Sequence, residues 1–469
     1  AGTSNFRAGV NAGNSIQSGG NFNTVVGDEA GTAITTGDSG TLVGFSAGAA
    51  LTTGINNVLV GALSGDVLTD ADYNVAVGHQ SLTSDTKGGS AVAVGYAALF
   101  SQNFTTSTDN YNTGVGYNAG GAVTTGTQNT LIGGLAGDAI TDADGNVAIG
   151  YASLTTNELG SDSVAIGKNA LNLQNPDTAM AMNNVAIGKN TGEAVTTGRF
   201  NVFVGNEAGD ACNTGGTNTA LGHAALSADT KGDQSVAVGT GALNTQNFTT
   251  ATNAFNTAVG RSAGLSLTTG VQNTLMGATA GNTLGDSDYN VAIGYGALYT
   301  DVLGSKSTAI GVSALQNQTY GDTATDSHNV AIGYAAGLAN ITGVQNVIIG
   351  STAGDARTSG DTNTIIGYQA CGDGVGTGNQ NTVVGGNAGL ALTSGFYNTY
   401  LGNNSGGANT VGTSNVAIGK GALASDVNGS QNVAVGYNAL NAQEASGSTS
   451  NNTLNTAVGS QAGAAMTTG

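Results

Sequence analysis

An aliphatic residue directly precedes a glycine at almost every seventeenth position, at Gly27, Gly44, Gly61, Gly78 and Gly95 and on to Gly419, Gly436 and Gly459. From Gly9 to Gly459 there are 26 such marker glycines; 18 of the 25 gaps keep this period and the rest are longer by one to six, so the register is never lost. In the 25 coils from Gly27 onward the residue before the glycine is Val, Ile, Leu or Met, and the residue three before it is Val or Thr. These outer two positions share one face of a strand. The middle position between them points the other way and is Ala in 14 coils, Gly in one, and Val, Leu, Ile, Phe or Tyr in ten. A half-buried strand alternates apolar with polar, whereas apolar character on both faces argues that both are covered. The pattern predicts an all-β chain, a parallel β-solenoid (β-roll) of about 26 coils, running as one continuous repeat domain over residues 1–469.

One face fills the solenoid and the other needs a partner. Periodicity does not say which is inside, but abundant Ala at the middle position lets backbones approach closely. Leu42, Leu59, Leu131, Phe203 and Tyr400 would then interlock where the gap between copies widens, so the middle position is the one expected to meet neighbouring copies. Stacked at ~4.8 Å per coil, it would form an apolar stripe about 120 Å long, beyond the few hundred Å² that soluble monomers tolerate. Self-association along the full length is the expectation.

Asn stands four before the glycine in 21 of 26 coils, as at Asn23, Asn74, Asn146, Asn218, Asn290 and Asn415. This is a structural ladder, whose stacked amides hydrogen-bond along the axis and whose backbone suits the start of a strand. The marker glycine permits a positive φ or a tight corner, and Thr-Thr-Gly words such as Thr52-Thr53-Gly54 mark another corner. A longer rhythm of four coils replaces the ladder Asn with Ser163, Ser235 and Ser307 in turn. The extra residues of the long coils (100–111, 172–183, 244–255, 316–328 and 441–454) are expected to bulge outward as loops. Their aromatics Phe104, Phe248 and Tyr320 are the candidate receptor contacts.

Composition narrows the chemistry. With 79 glycines and one proline in 469 residues, long helices are not expected. A formal charge of -19 repels phosphate backbones and anionic lipid, which argues against nucleic acid as a partner. There is no run of about 18 apolar residues, so membrane insertion is not expected. Ala1 begins within repeat-like sequence and Gly469 follows a Thr-Thr pair, so the chain reads as a segment of a longer protein.

Cys212 and Cys371 lie about nine coils apart, too far to bridge, and read as buried thiols. Three histidines offer little for general base work, and no nucleophile or zinc spacing stands out, so no enzyme activity and no cofactor are expected. His79 and His223 occupy equivalent positions, and Tyr151 and Tyr295 fill the same column, which reads as packing. The runs Asp70-x-Asp72, Asp142-x-Asp144 and Asp286-x-Asp288, each followed by x-Asn, supply oxygen ligands suited to Ca²⁺. They lack the glycine and terminal Glu of a helix-loop-helix calcium loop, and Asx-turns are the favoured reading.

The words Asn184-Val185-Ala186-Ile187-Gly188 and Asn455-Thr456-Ala457-Val458-Gly459 resemble the head repeats of trimeric autotransporter adhesins. The fuller word from Asn218 to Leu226, with Thr-Thr-Gly corners elsewhere, is similar to repeats of bacteriophage tail fibres. The resemblance covers essentially the whole chain. It implies a homotrimeric β-roll fibre: the structural shaft of a viral tail fibre, located on the virion and serving host attachment through a cell-surface glycan or protein receptor. The alternative is the head of a bacterial surface adhesin, extracellular on the cell surface; a remote one is an ice-binding solenoid, against which Thr and Val interchange three before the glycine.

Overall fold

The computed structural model describes residues 2–321, 323–445 and 450–467. The chain divides into two compact units, residues 1–233 with 249–252 and residues 234–248 with 253–469. Each unit is a parallel β-solenoid of the expected kind, and no described residue is helical. In the first, thirteen three-residue strands run from Phe6–Ala8 to Thr219–Leu221; in the second, thirteen run from Val236–Val238 to Thr456–Val458. Every strand consists of the outer, middle and outer positions of the repeat.

Neighbouring strands pair without stagger, Leu131 on Ala148 in the first unit and Ile365 on Val383 in the second. Each sequence column therefore stacks on itself. A long coil does not disturb this: Val94 still pairs with Val115 across the inserted residues.

The middle position is the inside of the solenoid. Leu42, Leu59, Leu131, Phe203 and Tyr400 are buried within their own chain, whereas the outer positions are half-buried or exposed in both units. The expected orientation is thus reversed: alanine at the middle position makes room for core side chains, and it is the Val/Thr and aliphatic rows that face outward.

The core keeps its volume by exchange between two positions. Where the strand brings a large side chain inward, the fourth residue after the glycine is itself glycine in nine of ten coils, as in Leu42 with Gly48, Leu131 with Gly137, Phe203 with Gly209 and Tyr400 with Gly406, and Cys371 in the tenth, with Ile365. A Cβ at Gly48 would lie 2.4 Å from Leu42, and one at Gly406 2.6 Å from the Tyr400 ring. Where the strand brings Ala, leucine takes that fourth place in ten of fourteen coils, as in Ala76 with Leu82, Ala148 with Leu154 and Ala417 with Leu423. In the other four, Gly192, Gly264, Gly337 and Gly463 stand there and a leucine of the preceding coil reaches in, as Leu171 does beside Gly192 and Leu243 beside Gly264. Close-packed interiors hold neither two large groups nor a void there.

Ladder asparagines are buried and bond mainly to backbone. The Asn129 side chain accepts from the Asn146 amide at 3.0 Å and donates to the Ala143 carbonyl at 2.8 Å. Amide-to-amide bonds are added at some rungs, such as Asn398 to Asn381 at 3.1 Å. The marker glycines from Gly27 onward have φ between 127° and 141°. Three further positions per coil are left-handed: the fifth before the glycine and the second and fourth after it, as at Ser90 (62°), Ala97 (53°) and Leu99 (50°). Even bulky residues adopt this backbone, Tyr73 at 61° and Phe200 at 60°, because their amides donate to the adjoining coil, to Ile55 and Met182 respectively.

The extra residues of the long coils stack in parallel on the coil before. Gly88–Gly89 pairs in parallel with Thr108–Asp109, Gly160–Ser161 with Met180–Ala181, and Gly304–Ser305 with Thr325–Asp326. Gly429–Ser430 pairs likewise with Asn451–Asn452, although residues 446–449 of that last loop, and Asp322 of the one before, lie outside the described residues. The outward bulge expected of these residues is replaced by a second short rung laid along the coil.

Candidate binding surface

Of the aromatics of the long coils, Phe104, Phe248 and Tyr320 turn inward, whereas Tyr111 and Phe255 at the ends of the same segments are exposed. Phe104 is 6% exposed and Phe248 5%, and the half-buried Tyr320 donates its hydroxyl to the Gly343 carbonyl at 3.0 Å. The outward placement of all three, inferred from sequence, is corrected, and Phe104 and Tyr320 stand beside buried polar wells that sequence reasoning missed. In one well Asp85 Oδ1 accepts from the amides of Gly88 (2.9 Å) and Phe104 (3.0 Å), while Oδ2 accepts from Gln102 Nε2 (2.6 Å). Gln102 Oε1 then accepts from the ladder residue Asn112 at 2.9 Å. Asp301, Gln318 and Asn329 repeat the arrangement, at 2.6 Å and 2.9 Å. A signal was present in the sequence: Asp85, Gln102, Asp301 and Gln318 all stand seven after the marker glycine, where Leu51, Leu68 and Ile140 stand in other coils.

Burial pushes Asp301 up to about 6, against which the Gln318 and Gly304 hydrogen bonds pull only partly. A carboxyl raised on folding favours the folded state once protonated, so this contribution is present at low pH and lost as pH rises through about 6. Hydrogen exchange at the Gly304 amide, corrected for its intrinsic pH dependence, should show more protection at about pH 5 than at about pH 7.5. In Asp301→Asn that difference should vanish; an unchanged difference would assign it elsewhere.

The aspartate pairs serve the corners. Asp72 accepts from the Ile55 amide and Asp288 from the Val271 amide, both at 2.7 Å, and Asp144 accepts from the Thr127 amide at 2.6 Å. Asp70 faces Lys87 at 3.9 Å, and Asp142 accepts from Thr141 Oγ1 at 3.2 Å. Among the described residues no three His, Cys, Asp or Glu side chains, Asp286 included, come together as a metal site. Both cysteines are free and buried; burial pushes Cys212 up to about 12 and Cys371 up to about 11, so neither presents a thiolate at neutral pH.

Two columns expose aromatic rings, one five before the marker glycine, as at Tyr73 and Phe200, and one directly after it. His79 stacks on Tyr96 with ring centroids 5.5 Å apart, and Tyr96 on Tyr117 at 5.4 Å although a long coil separates them in sequence. Tyr151 in the first unit and Tyr295, Tyr334, Tyr368 and Tyr437 in the second are exposed in the same column. It also carries Lys168, Lys189, Arg261 and Lys420. Rings and cations on a strand-bounded surface can grip a ligand by stacking and charge. The two strand rows beside them add Val, Thr, Ile, Leu and Met.

No protein-family model matches this sequence, and no curated protein does. The chemistry of the surface therefore carries the functional reading. Among the described residues no helix is long and apolar enough to cross a membrane.

Proposed function

We propose that this chain is the shaft of a homotrimeric viral tail fibre that serves host attachment. The observation supporting it most is the outward face of the strands. In each unit it presents Val or Thr beside Val, Ile, Leu or Met in coil after coil, half-buried at best and with no charge from Gly27 onward. A row of apolar side chains repeated this often exceeds what a soluble monomer leaves uncovered. Copies related by a closed rotation cover such a face on one another. The aromatic and cationic column lies just past the strand and is free to touch a host surface, where repetition turns weak contacts into avidity.

The head of a bacterial trimeric adhesin would use the same assembly, and flanking sequence distinguishes the two. Thermal hysteresis is not expected, because Thr and Val interchange irregularly in the outward row.

Light scattering should give a mass of three chains. Ile166→Glu with Ile349→Glu, both on the outward face, should lower that mass while the circular dichroism of the coils persists, since neither side chain is in the core. A single-chain mass for the unaltered protein at micromolar concentration would end the trimeric reading.

A further inference from the structure

In the second unit, the coils that follow Gly260, Gly277, Gly294 and Gly311 enclose a surface concavity of about 540 Å³, within the range of small-ligand pockets. It is lined by Arg261, Asn282, Tyr295, Tyr299 and Gln316, with Gly296 between the two tyrosines. Gly296 is itself buried, yet a Cβ built on it would meet nothing within 4 Å, so empty space lies directly over the backbone. The equivalent residues Ala152, Ala224, Ser313 and Ala335 all carry side chains. Gly241 and Gly421 also stand at this place, but a Cβ there would meet Leu265 at 3.5 Å and Asn438 at 2.3 Å, so among these three glycines the missing bulk leaves open space at Gly296.

Its chemistry is selective. The rings of Tyr295 and Tyr299 are 59% and 36% exposed and offer flat faces to an aliphatic ring. Among the described residues the side chains of Arg261 and Gln316 bond to no other protein group, and Asn282 uses only its Nδ2, on the Ser262 carbonyl at 3.3 Å. A guanidinium, an amide and a free amide oxygen beside two rings present donors and acceptors in planar pairs, suited to vicinal hydroxyls and a carboxylate. A purely apolar ligand would desolvate these groups without replacing their water. A phosphate would find one cation on a chain of charge -19.

We infer that this concavity binds a pyranose unit bearing a carboxylate, an acidic sugar of a polysaccharide, with its ring against Tyr295 and Tyr299 and its carboxylate on Arg261. The site gives the attachment reading a ligand and rests on that reading only for its biological use.

The test is saturation-transfer NMR and titration of the full chain with the methyl glycosides of glucuronic, galacturonic and N-acetylneuraminic acids and with methyl glucoside. At least one acidic glycoside should bind with a dissociation constant of about 1 mM or tighter, and methyl glucoside roughly tenfold more weakly. Tyr295→Ala and Tyr299→Ala should each weaken the acidic glycoside about tenfold. Arg261→Gln should erase the preference for it over methyl glucoside, and Gly296→Leu should abolish binding of both. Because the rings are exposed, the tyrosine variants should fold as the parent does, which circular dichroism checks.

No transfer to any acidic glycoside would overturn the assignment, as would parental affinity in Tyr299→Ala or an equal affinity for methyl glucoside. Cell adhesion unchanged in the tyrosine variants would separate the pocket from attachment. Glycoside binding without cell adhesion would instead remove the attachment reading and leave the site.

Discussion

Gly133→Ala should open the solenoid around residues 130–150, whereas Gly134→Ala, one residue on, should be nearly silent. Gly133 has φ +135°, a backbone essentially reserved for glycine, and a Cβ there would sit 2.6 Å from the Gly150 carbonyl oxygen of the next coil. The obstacle is backbone, and the Gly150 carbonyl is already held by the Ser153 hydroxyl, from which it accepts at 3.1 Å, while the Gly150 amide is fixed on Ile132 at 2.8 Å, so it cannot rotate away. Strain and overpacking together should cost about 3 kcal/mol or more. At Gly134 no positive φ is required, and the nearest atom to a Cβ is Tyr151 Cδ2 at an ordinary 3.7 Å. Hydrogen exchange over the Gly150 amide reads the difference. Equal protection in the two variants would mean that the glycine column is not what sets the distance between coils.

The second large effect concerns the core. Tyr400→Ala should leave a cavity and destabilise by about 3–5 kcal/mol, by analogy with other buried aromatics. Gly406→Leu should drive a side chain into the Tyr400 ring and cost about 1–3 kcal/mol. Combined, they recreate the arrangement of Ala417 with Leu423 in the following coil, and much of the loss should return, with a coupling of about 2 kcal/mol or more. Local exchange is the suitable measure, because a long repeat array need not unfold in one step. Additive losses would show that the two positions do not share one volume.

That same exchange of volumes explains what could be read in the sequence. The strands, their in-register pairing and the ladder from Asn23 to Asn455 were legible, since each depends on a period that the chain repeats without slipping. Which face is inside was not legible from hydrophobicity, because Val, Thr and Ile of the outer rows are as compatible with a core as the Ala of the middle one. The deciding signal lay in pairs of columns: Leu131 goes with Gly137 while Ala148 goes with Leu154, and only an enclosed space requires such compensation.

Phe104 and Tyr320 were misplaced for a related reason. A loop residue looks outward until the polar well beneath it is recognised, and Asp85 and Gln102 read as surface residues when taken singly. The concavity beside Tyr295 was invisible for the opposite reason, since it is made by an absent side chain at Gly296 and by residues from four successive coils. The left-handed backbone at Tyr73, Phe200 and Tyr397 runs against residue preference altogether and is imposed by neighbours in space.

Those left-handed residues bear on how the chain acquires its structure. A solitary coil would hold three or four such residues, each costing on the order of 1 kcal/mol when not glycine, with none of the partners that satisfy their amides. Initiation therefore requires several coils to condense together, a rare event like the start of a helix. Elongation is different in kind. Each further coil finds its acceptors and donors already arrayed on the edge of the last, and the positions it must join are a single coil apart wherever it is along the chain. Loop closure is thus equally short for every step, and an all-β protein folds with contacts local in sequence, its growing end acting as the template for the coil that joins it.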